Sequence, residues 1–174
     1  METFRLICHP DTPAKSVSAI SVDVERTGDM AWFRFVADCH LDSLNLPGPL
    51  EPERADGLWQ STCFETFIGD GHYSEFNFSP SYQWAAYDFE DYRTGIAARN
   101  LTRDPEIGID AGEEYFALEA TIDLDGLEGK LALCAVIEEL DGTKSYWALA
   151  HPPGKPDFHH PACFAASLPA LRNP

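Results

Sequence analysis

Short segments in which apolar and polar residues alternate run along most of the chain, and this period of two constrains the fold more than any other feature. In residues 18–28, SAISVDVERTG, the alternation includes Ile20, Val22 and Val24, and a turn at Gly28-Asp29 follows. MAWFRFVAD continues on the far side of that turn. Alternation places apolar side chains on one face of a strand, whereas a helix needs a period of about 3.6. Residues 18–38 are therefore predicted to form a long β-hairpin.

Further strands are predicted between clusters of glycine, proline and aspartate, with a strong turn signal at Asp141-Gly142. They occupy residues 83–93, 114–124, 130–140, 144–150 and 162–171. The whole pattern predicts about nine to eleven strands at spacings of about 8–12 residues, which is typical of an all-β sandwich or barrel. We expect a single-domain antiparallel β-sandwich over residues 1–174. Two stretches lack the pattern, residues 41–57 and 151–161, and long loops on a rigid sandwich are common places for binding sites.

The charge of the chain limits its partners. Twenty-nine acidic and twelve basic residues give a net charge of -17. Such a surface repels nucleic acid and anionic membranes, so neither is an expected partner, whereas a neutral or cationic ligand is compatible with it. For most of the acids, the expected role is that of a solvated surface that resists aggregation. The N-terminus lacks the pattern of a signal peptide and no apolar run is long enough to span a bilayer, so the expected location is the cytoplasm.

The five cysteines do not indicate a disulfide framework or a zinc ribbon. Their number is odd, their spacing is wide and no Cys-x-x-Cys pair occurs. Cys134 lies within the apolar run LALCAVI, which is typical of a core strand, and Cys63 lies in the hairpin described next.

LWQSTCFETFIGDGHYSEFNFSPS, residues 58–81, predicts a hairpin with carboxylates on one face. If the phenylalanines turn inward, Glu65, Glu75 and Asn77 share the opposite face, because slipping the register by one residue would swap the faces. A three-residue loop at residues 69–71 would place Glu65 opposite Glu75, and a five-residue loop would place it opposite Asn77. Either register brings two carboxylates into one small patch.

Two neighbouring carboxylates on a sheet repel each other, so solvent, a basic side chain, a cation or a hydroxyl-rich ligand must offset the repulsion. Arg54, Arg93 and Lys155 are the candidate counter-ions. Aromatic residues surround the patch, which favours a walled pocket over a solvated face. Their rings can stack on sugar rings, while acids and amides hydrogen-bond vicinal hydroxyls. These aromatic residues are Trp59, Phe67, Tyr73, Trp84 and Tyr87.

Three motifs together resemble the small bacterial DOMON-like proteins, which are related to the family-nine carbohydrate-binding modules and to DOMON domains that bind haem or sugar. The motifs are LWQSTCFETFIG, YSEFNFSPSYQWAAYDFEDYRTG and YWALAHPPGKPDFHHPACF, and the match covers residues 58–95 and 146–164. The resemblance implies a β-sandwich of about eleven strands with a ligand pocket on one sheet or at one end.

The resemblance also implies a set of ligand-binding residues. From the hairpin and the next strand these are Trp59, Glu65, Glu75, Asn77, Trp84 and Arg93, and from the late loop they are His151, Lys155, Asp157, His159 and His160. The residue pattern adds Tyr87, as part of a stacking platform with Trp59 and Trp84. Haem-binding relatives use a methionine and a histidine as axial ligands. The only internal methionine, Met30, stands in no matching position, so haem is not expected.

Three functions follow from this pattern. The preferred hypothesis is binding of a saccharide or a similar small polar ligand, without a cofactor and without catalysis. The second is an enzyme in which Glu65 and Glu75 act as in glycoside hydrolysis, or hold a divalent cation together with His151 and His159. The third is an interaction module with a vestigial pocket. Neither the oligomeric state nor the identity of the ligand follows from the sequence.

Overall fold

The computed structural model describes residues 1–171 and confirms the predicted all-β class. Twelve strands carry the fold, and within the described residues the only helical elements are three short 3-10 turns, Leu41–Ser43, Leu58–Gln60 and Pro161–Cys163. None of these is long and apolar enough to cross a membrane. The strands are β1 Glu2–Cys8, β2 Val17–Thr27, β3 Met30–Cys39, β4 Cys63–Asp70, β5 His72–Phe78, β6 Trp84–Phe89, β7 Ala97–Ala98, β8 Glu106–Gly112, β9 Tyr115–Asp123, β10 Lys130–Glu138, β11 Lys144–Ala148 and β12 Ala166–Ser167.

The strands form two layers of one curled sheet, as expected for a β-sandwich. The first layer has the order β1-β2-β3-β9-β8 and the second has the order β7-β6-β5-β4-β10-β11. Strand β1 joins them, because it pairs with β2 over Glu2–Leu6 and with β11 at Ile7 and Cys8. Every pairing between these strands is antiparallel. The short strand β12 pairs with the start of β10, beside the position where β11 pairs with its end.

The main core lies between the two layers, on what we call the inner face of each sheet. The alternation in the first predicted hairpin is confirmed there, because Val22, Val24 and Phe33 are fully buried. Phe64 and Phe76 meet them from the second layer. Burying one such side chain contributes roughly 1.5–3 kcal/mol, so this pattern alone favours the sandwich strongly.

The outer faces of the two layers differ. Strands β2 and β3 alternate buried and partly exposed residues, as sheets with one solvated face do. Strands β4 and β5 are instead buried on both faces almost along their whole length. A second apolar cluster on the outer face of β4, β5 and β10 accounts for this, and it includes Phe67, Tyr73 and Cys134. The functional residues predicted in the hairpin lie on this covered face.

Two features of the fold differ from the sequence-based prediction. The closing strand predicted over residues 162–171 shrinks to Ala166–Ser167, because the residues before it turn through a 3-10 helix to cover the second layer. Strands β1, β7 and β8 were not predicted as strands, and the structure has twelve strands where about nine to eleven were expected. The two stretches predicted to be irregular, residues 41–57 and 151–161, are indeed loops with single bridges and 3-10 turns.

Candidate functional site

The hairpin β4–β5 brings the predicted carboxylates and amide to one face. Of the two predicted registers the structure has the second, with Glu65 directly opposite Asn77, while Glu75 stands between Phe67 and Tyr87 of the neighbouring strands. The pairing continues to Asp70 and His72, so the turn is tighter than the five-residue loop that defined this register. We call Glu65, Glu75 and Asn77 the polar cluster.

Two pieces of chain cover the outer face around the polar cluster. Residues 56–61, the crossing segment, carry the chain from the edge of the second layer to β4. The Tyr87 hydroxyl donates to Asp56 at one end of this segment, and the Ser61 hydroxyl donates to Glu138 over 2.9 Å at the other. Because Tyr87 points to the outer face, the crossing segment passes over that face, with Trp59 at 55% exposure.

Residues 151–164, the covering loop, close the other side. Phe158 and Cys163 of this loop pack into the outer apolar cluster, and the ring of His159 lies edge-on to Phe67 at 5.2 Å. As a result the polar cluster is almost fully shielded from solvent, with Glu65 at 3%, Glu75 at 6% and Asn77 at 1% exposure.

The hydrogen bonds of the polar cluster leave two acceptors without a donor. The Asn77 amide donates from Nδ2 to Glu75 Oε1 over 2.9 Å. Glu65 Oε1 and Asn77 Oδ1 are buried, and within the part of the chain that is described they receive no hydrogen bond. A buried polar atom left without a partner costs roughly 1–3 kcal/mol. With both glutamates ionised, the site therefore has more acceptors than donors.

His159 links the polar cluster to the covering loop. Its Nε2 lies 3.7 Å from Glu75 Oε2, and its Nδ1 lies 2.9 Å from the Tyr73 hydroxyl. The same hydroxyl oxygen accepts a hydrogen bond from the backbone N–H of Arg93, so its own proton is free to go to Nδ1. This arrangement assigns the imidazole proton to Nε2, the nitrogen that faces Glu75.

Burial shifts the pKa values of these groups away from their ordinary range. Desolvation, followed by repulsion from Glu75, raises the pKa of Glu65 well above that of an exposed glutamate. Desolvation raises the pKa of Glu75 to about 7, opposed by the hydrogen bond from Asn77 and by the charge of Arg93. Desolvation lowers the pKa of His159 to about 4, so its contact with Glu75 at neutral pH is not an ion pair.

The covering loop is held to the strand edge by an ion pair. The Arg93 guanidinium donates to Asp157 Oδ1 from Nη2 over 2.7 Å and from Nε over 3.1 Å, and the Tyr92 hydroxyl donates to the other carboxylate oxygen. Oδ1 also accepts the backbone N–H of His159 over 3.2 Å. Arg93, predicted as a counter-ion of the glutamates, is thus engaged by Asp157.

Several predicted site residues lie elsewhere. Trp84 is on the inner face at 4% exposure, with the guanidinium of Arg54, another predicted counter-ion, 4.6 Å from its ring. In a strand, residues three apart face opposite sides, so Trp84 and Tyr87 cannot share one surface. His151 bonds the carbonyl of Ile7 through Nε2 over 2.7 Å. Lys155 is exposed in the covering loop.

The structure does not assemble the predicted divalent-cation set of Glu65, Glu75, His151 and His159. The reason is the position of His151, which stacks edge-on with His9 at 4.8 Å beside strand β1. Over residues 1–171, no group of three or more histidine, cysteine, aspartate or glutamate side chains has the arrangement needed to hold a metal ion.

A cleft at the end of the second layer was not predicted from the sequence. It has a volume of about 370 Å³ and is lined by residues that include Ser74, Asp88 and Arg99. Arg99 donates to Asp88 over 2.9 Å, and the Ser74 hydroxyl donates to the same oxygen over 2.6 Å. No alternating pattern marks Arg99, because it lies just after the two-residue strand β7, and the sequence carries no other signal for it.

Comparison with known proteins supports the fold. No family model matches this chain, and no curated protein matches it. Among solved structures, a putative carbohydrate-binding protein from Bacteroides uniformis has a TM-score of 0.67 to this chain at 16% sequence identity. The likeness covers 93% of this chain and 83% of the other. This chain therefore has the fold of that protein, an all-β sandwich, while the resemblance to DOMON-like proteins stays a prediction.

Proposed function

We propose that this protein binds a small hydroxyl-rich ligand, a saccharide, at the polar cluster on the outer face of the second layer. The observation that carries this proposal is the pair of buried acceptors without a donor, Glu65 Oε1 and Asn77 Oδ1. Each sugar hydroxyl can donate one hydrogen bond and accept others, so vicinal hydroxyls complement a surface that is rich in acceptors. The likeness in fold to a putative carbohydrate-binding protein supports the same class of ligand.

Aromatic and charged side chains at the rim suit the same ligand. Trp59 exposes more than half of its surface on the crossing segment, and Tyr87 is partly buried on the outer face. A flat ring offers the apolar face on which the C–H face of a sugar can stack. In this proposal Trp59 and Tyr87 stack on the sugar, whereas Trp84, which was also predicted to do so, faces the core. Arg93, Asp157 and His159 border the site from the other side.

Titration with a panel of monosaccharides and disaccharides tests the proposal, with the melting temperature and tryptophan fluorescence as readouts. We expect at least one saccharide to raise the melting temperature. Trp59→Ala should weaken that binding about tenfold while changing the free energy of unfolding by less than about 0.5 kcal/mol, because the side chain is exposed. Trp32→Ala on the outer face of the first layer is the matched control and should leave binding unchanged.

A panel without any effect on melting temperature or fluorescence would show that the proposed function is wrong. Unchanged binding in Trp59→Ala would place the ligand away from the crossing segment.

Hydrolysis of a glycoside by the same carboxylates is the second candidate function. The observation that favours it is that burial raises the pKa of Glu75 to about 7, which is the range of a general acid or base at neutral pH. Release of the chromophore from aryl glycosides, measured across pH, tests this candidate. Glu75→Gln should abolish the activity, while Glu25→Gln on the first layer, which changes an acid on the other sheet, should not.

A further inference from the structure

The outer face of the second layer contains an imbalance of charge as well as of hydrogen bonds. Glu65 and Glu75 are both buried there. Among the described residues no lysine or arginine forms an ion pair with either carboxylate, and the imidazole of His159, which contacts Glu75, is neutral at pH 7. Arg93, whose charge acts to lower the pKa of Glu75, is held by Asp157. Burying a carboxylate without a counter-charge is costly, so the face is incomplete as an ionic site.

The hydrogen-bond pattern of the polar cluster indicates which chemical group of a ligand would fit this face. Glu75 Oε1 already accepts the amide of Asn77, whereas Glu65 Oε1 and Asn77 Oδ1 accept nothing. A hydroxyl group supplies one donor and no charge. A primary ammonium group supplies three donors and one positive charge, and it carries no acceptor that would compete. An ammonium group would therefore supply both the hydrogen-bond donors and the positive charge that this face lacks.

We propose that the polar cluster selects a protonated primary amine, so that the preferred ligand is an amino sugar rather than a neutral sugar. This inference rests on the proposed saccharide site and specifies its ligand. Glu65 and Asn77 receive two N–H donors of the amine, and the carboxylates provide the opposite charge. The exposed ring of Trp59 is available to the apolar face of the sugar. A net charge of -17 favours the approach of a cation over that of an anion.

The negative charge of the glutamates can be removed by protonation or balanced by a bound ammonium group. Protonation takes protons up, whereas binding of an ammonium group releases them. In the free protein burial raises the pKa of both glutamates, which keeps protons on them. A bound ammonium favours the charged carboxylates, so its binding must release protons and must strengthen as pH rises toward neutrality. The titratable and charged groups facing the glutamates are Cys63, Tyr73, Tyr87, Arg93, Cys134 and His159.

Most of these neighbours keep one protonation state over the pH range of interest. The pKa values of the two cysteine thiols and of Tyr73 and Tyr87 are raised, chiefly by burial, so these groups stay neutral. The pKa of His159 is lowered to about 4, so it is neutral as well above pH 5. Proton release in that range is then a property of the glutamates.

Calorimetric titration with glucosamine, N-acetylglucosamine and glucose tests the inference, because the three differ at one substituent. Ammonium chloride, with sodium chloride at equal ionic strength as its control, serves as the fourth probe. We expect glucosamine to bind at least about tenfold more tightly than glucose, a difference of about 1.4 kcal/mol. Titrations in two buffers of different ionisation enthalpy should show proton release. Affinity should rise about 50-fold from about pH 5 to about pH 7, because the ionised fraction of a carboxyl with a pKa of about 7 rises from about 0.01 to about 0.5.

Substitutions separate this inference from the proposed function. Glu65→Gln and Glu75→Gln should bring the ratio of glucosamine to glucose affinity close to one, whereas the control Glu25→Gln should preserve it. Glucose binding as tight as glucosamine binding would overturn the amine inference and leave the saccharide site intact. Equal stabilisation by ammonium chloride and glucosamine would also overturn it, because the site would then be one for a small cation. Failure of all three sugars would remove the proposed function together with the inference.

Discussion

Replacing Glu75 by glutamine should make the stability of the protein depend on pH in a different way. The unfolded chain ionises this carboxyl near its ordinary value of 4.5, but the folded protein holds the proton up to about 7. Between these values the folded state binds more protons than the unfolded state, so this group lowers stability as pH rises. A shift of about 2.5 units corresponds to about 3 kcal/mol at pH values above the folded pKa.

The neighbouring imidazole acts with the opposite sign. Burial lowers the pKa of His159 from 6.5 to about 4, so between these values the unfolded chain binds more protons and stability rises with pH. The two contributions nearly cancel in the wild-type protein between about pH 4.5 and about pH 6.5, and the pH profile from this pair should be shallow. Substituting either residue should therefore reveal the pH dependence of stability that the other one contributes.

Urea unfolding at a series of pH values measures this effect. Glu75→Gln should be close to wild type at about pH 4.5 and more stable by about 3 kcal/mol above about pH 7, a gain of about 6–12 °C in melting temperature for a chain of this size. The difference in stability between Glu75→Gln and wild type should grow as pH rises from about 4.5 to about 7, because the cost of ionising the buried Glu75 carboxyl is absent from the variant. His159→Gln should show the opposite slope, and Glu25→Gln should follow the wild-type curve. A constant difference between Glu75→Gln and wild type at all pH values would refute the reasoning.

Two further substitutions test the elements that build the site. Asp157→Asn removes the charge that holds Arg93 and Tyr92, so it should lower the free energy of unfolding by about 2 kcal/mol. Amide hydrogen exchange should become faster in the covering loop. An unchanged exchange rate in the loop would argue against its being anchored by Asp157. Gly69→Ala should destabilise the hairpin by at least about 1–3 kcal/mol, because its Cβ would lie 2.2 Å from the carbonyl oxygen of His72 at a φ of +147°. Thermal unfolding measures the second effect, and a wild-type melting temperature would contradict it.

The alternation of residues was sufficient to predict the fold class and the faces of the strands. In the first hairpin, Val22 and Val24 are buried as the period of two requires. In the second, the same rule places Glu65 on the face of Glu75 and Asn77. The register was left open between two choices, because the residues around Gly69 fit either loop length. Applying the rule to the next strand would also have separated Trp84 from Tyr87.

The sequence by itself determined that this chain is an all-β protein with two glutamates and an asparagine on one face of a hairpin, because strand periodicity is a local property of the chain. Only the tertiary structure decided that this face is covered. His159 reaches Tyr73 from 86 positions away in the chain, and Arg93 pairs with Asp157 across 64 positions. Such contacts depend on how the two layers and their loops pack, and no local pattern encodes them. Burial by these distant segments raises the pKa values of the glutamates and leaves their acceptors without donors. The covering loop thereby turns an ordinary polar strand face into a candidate binding site.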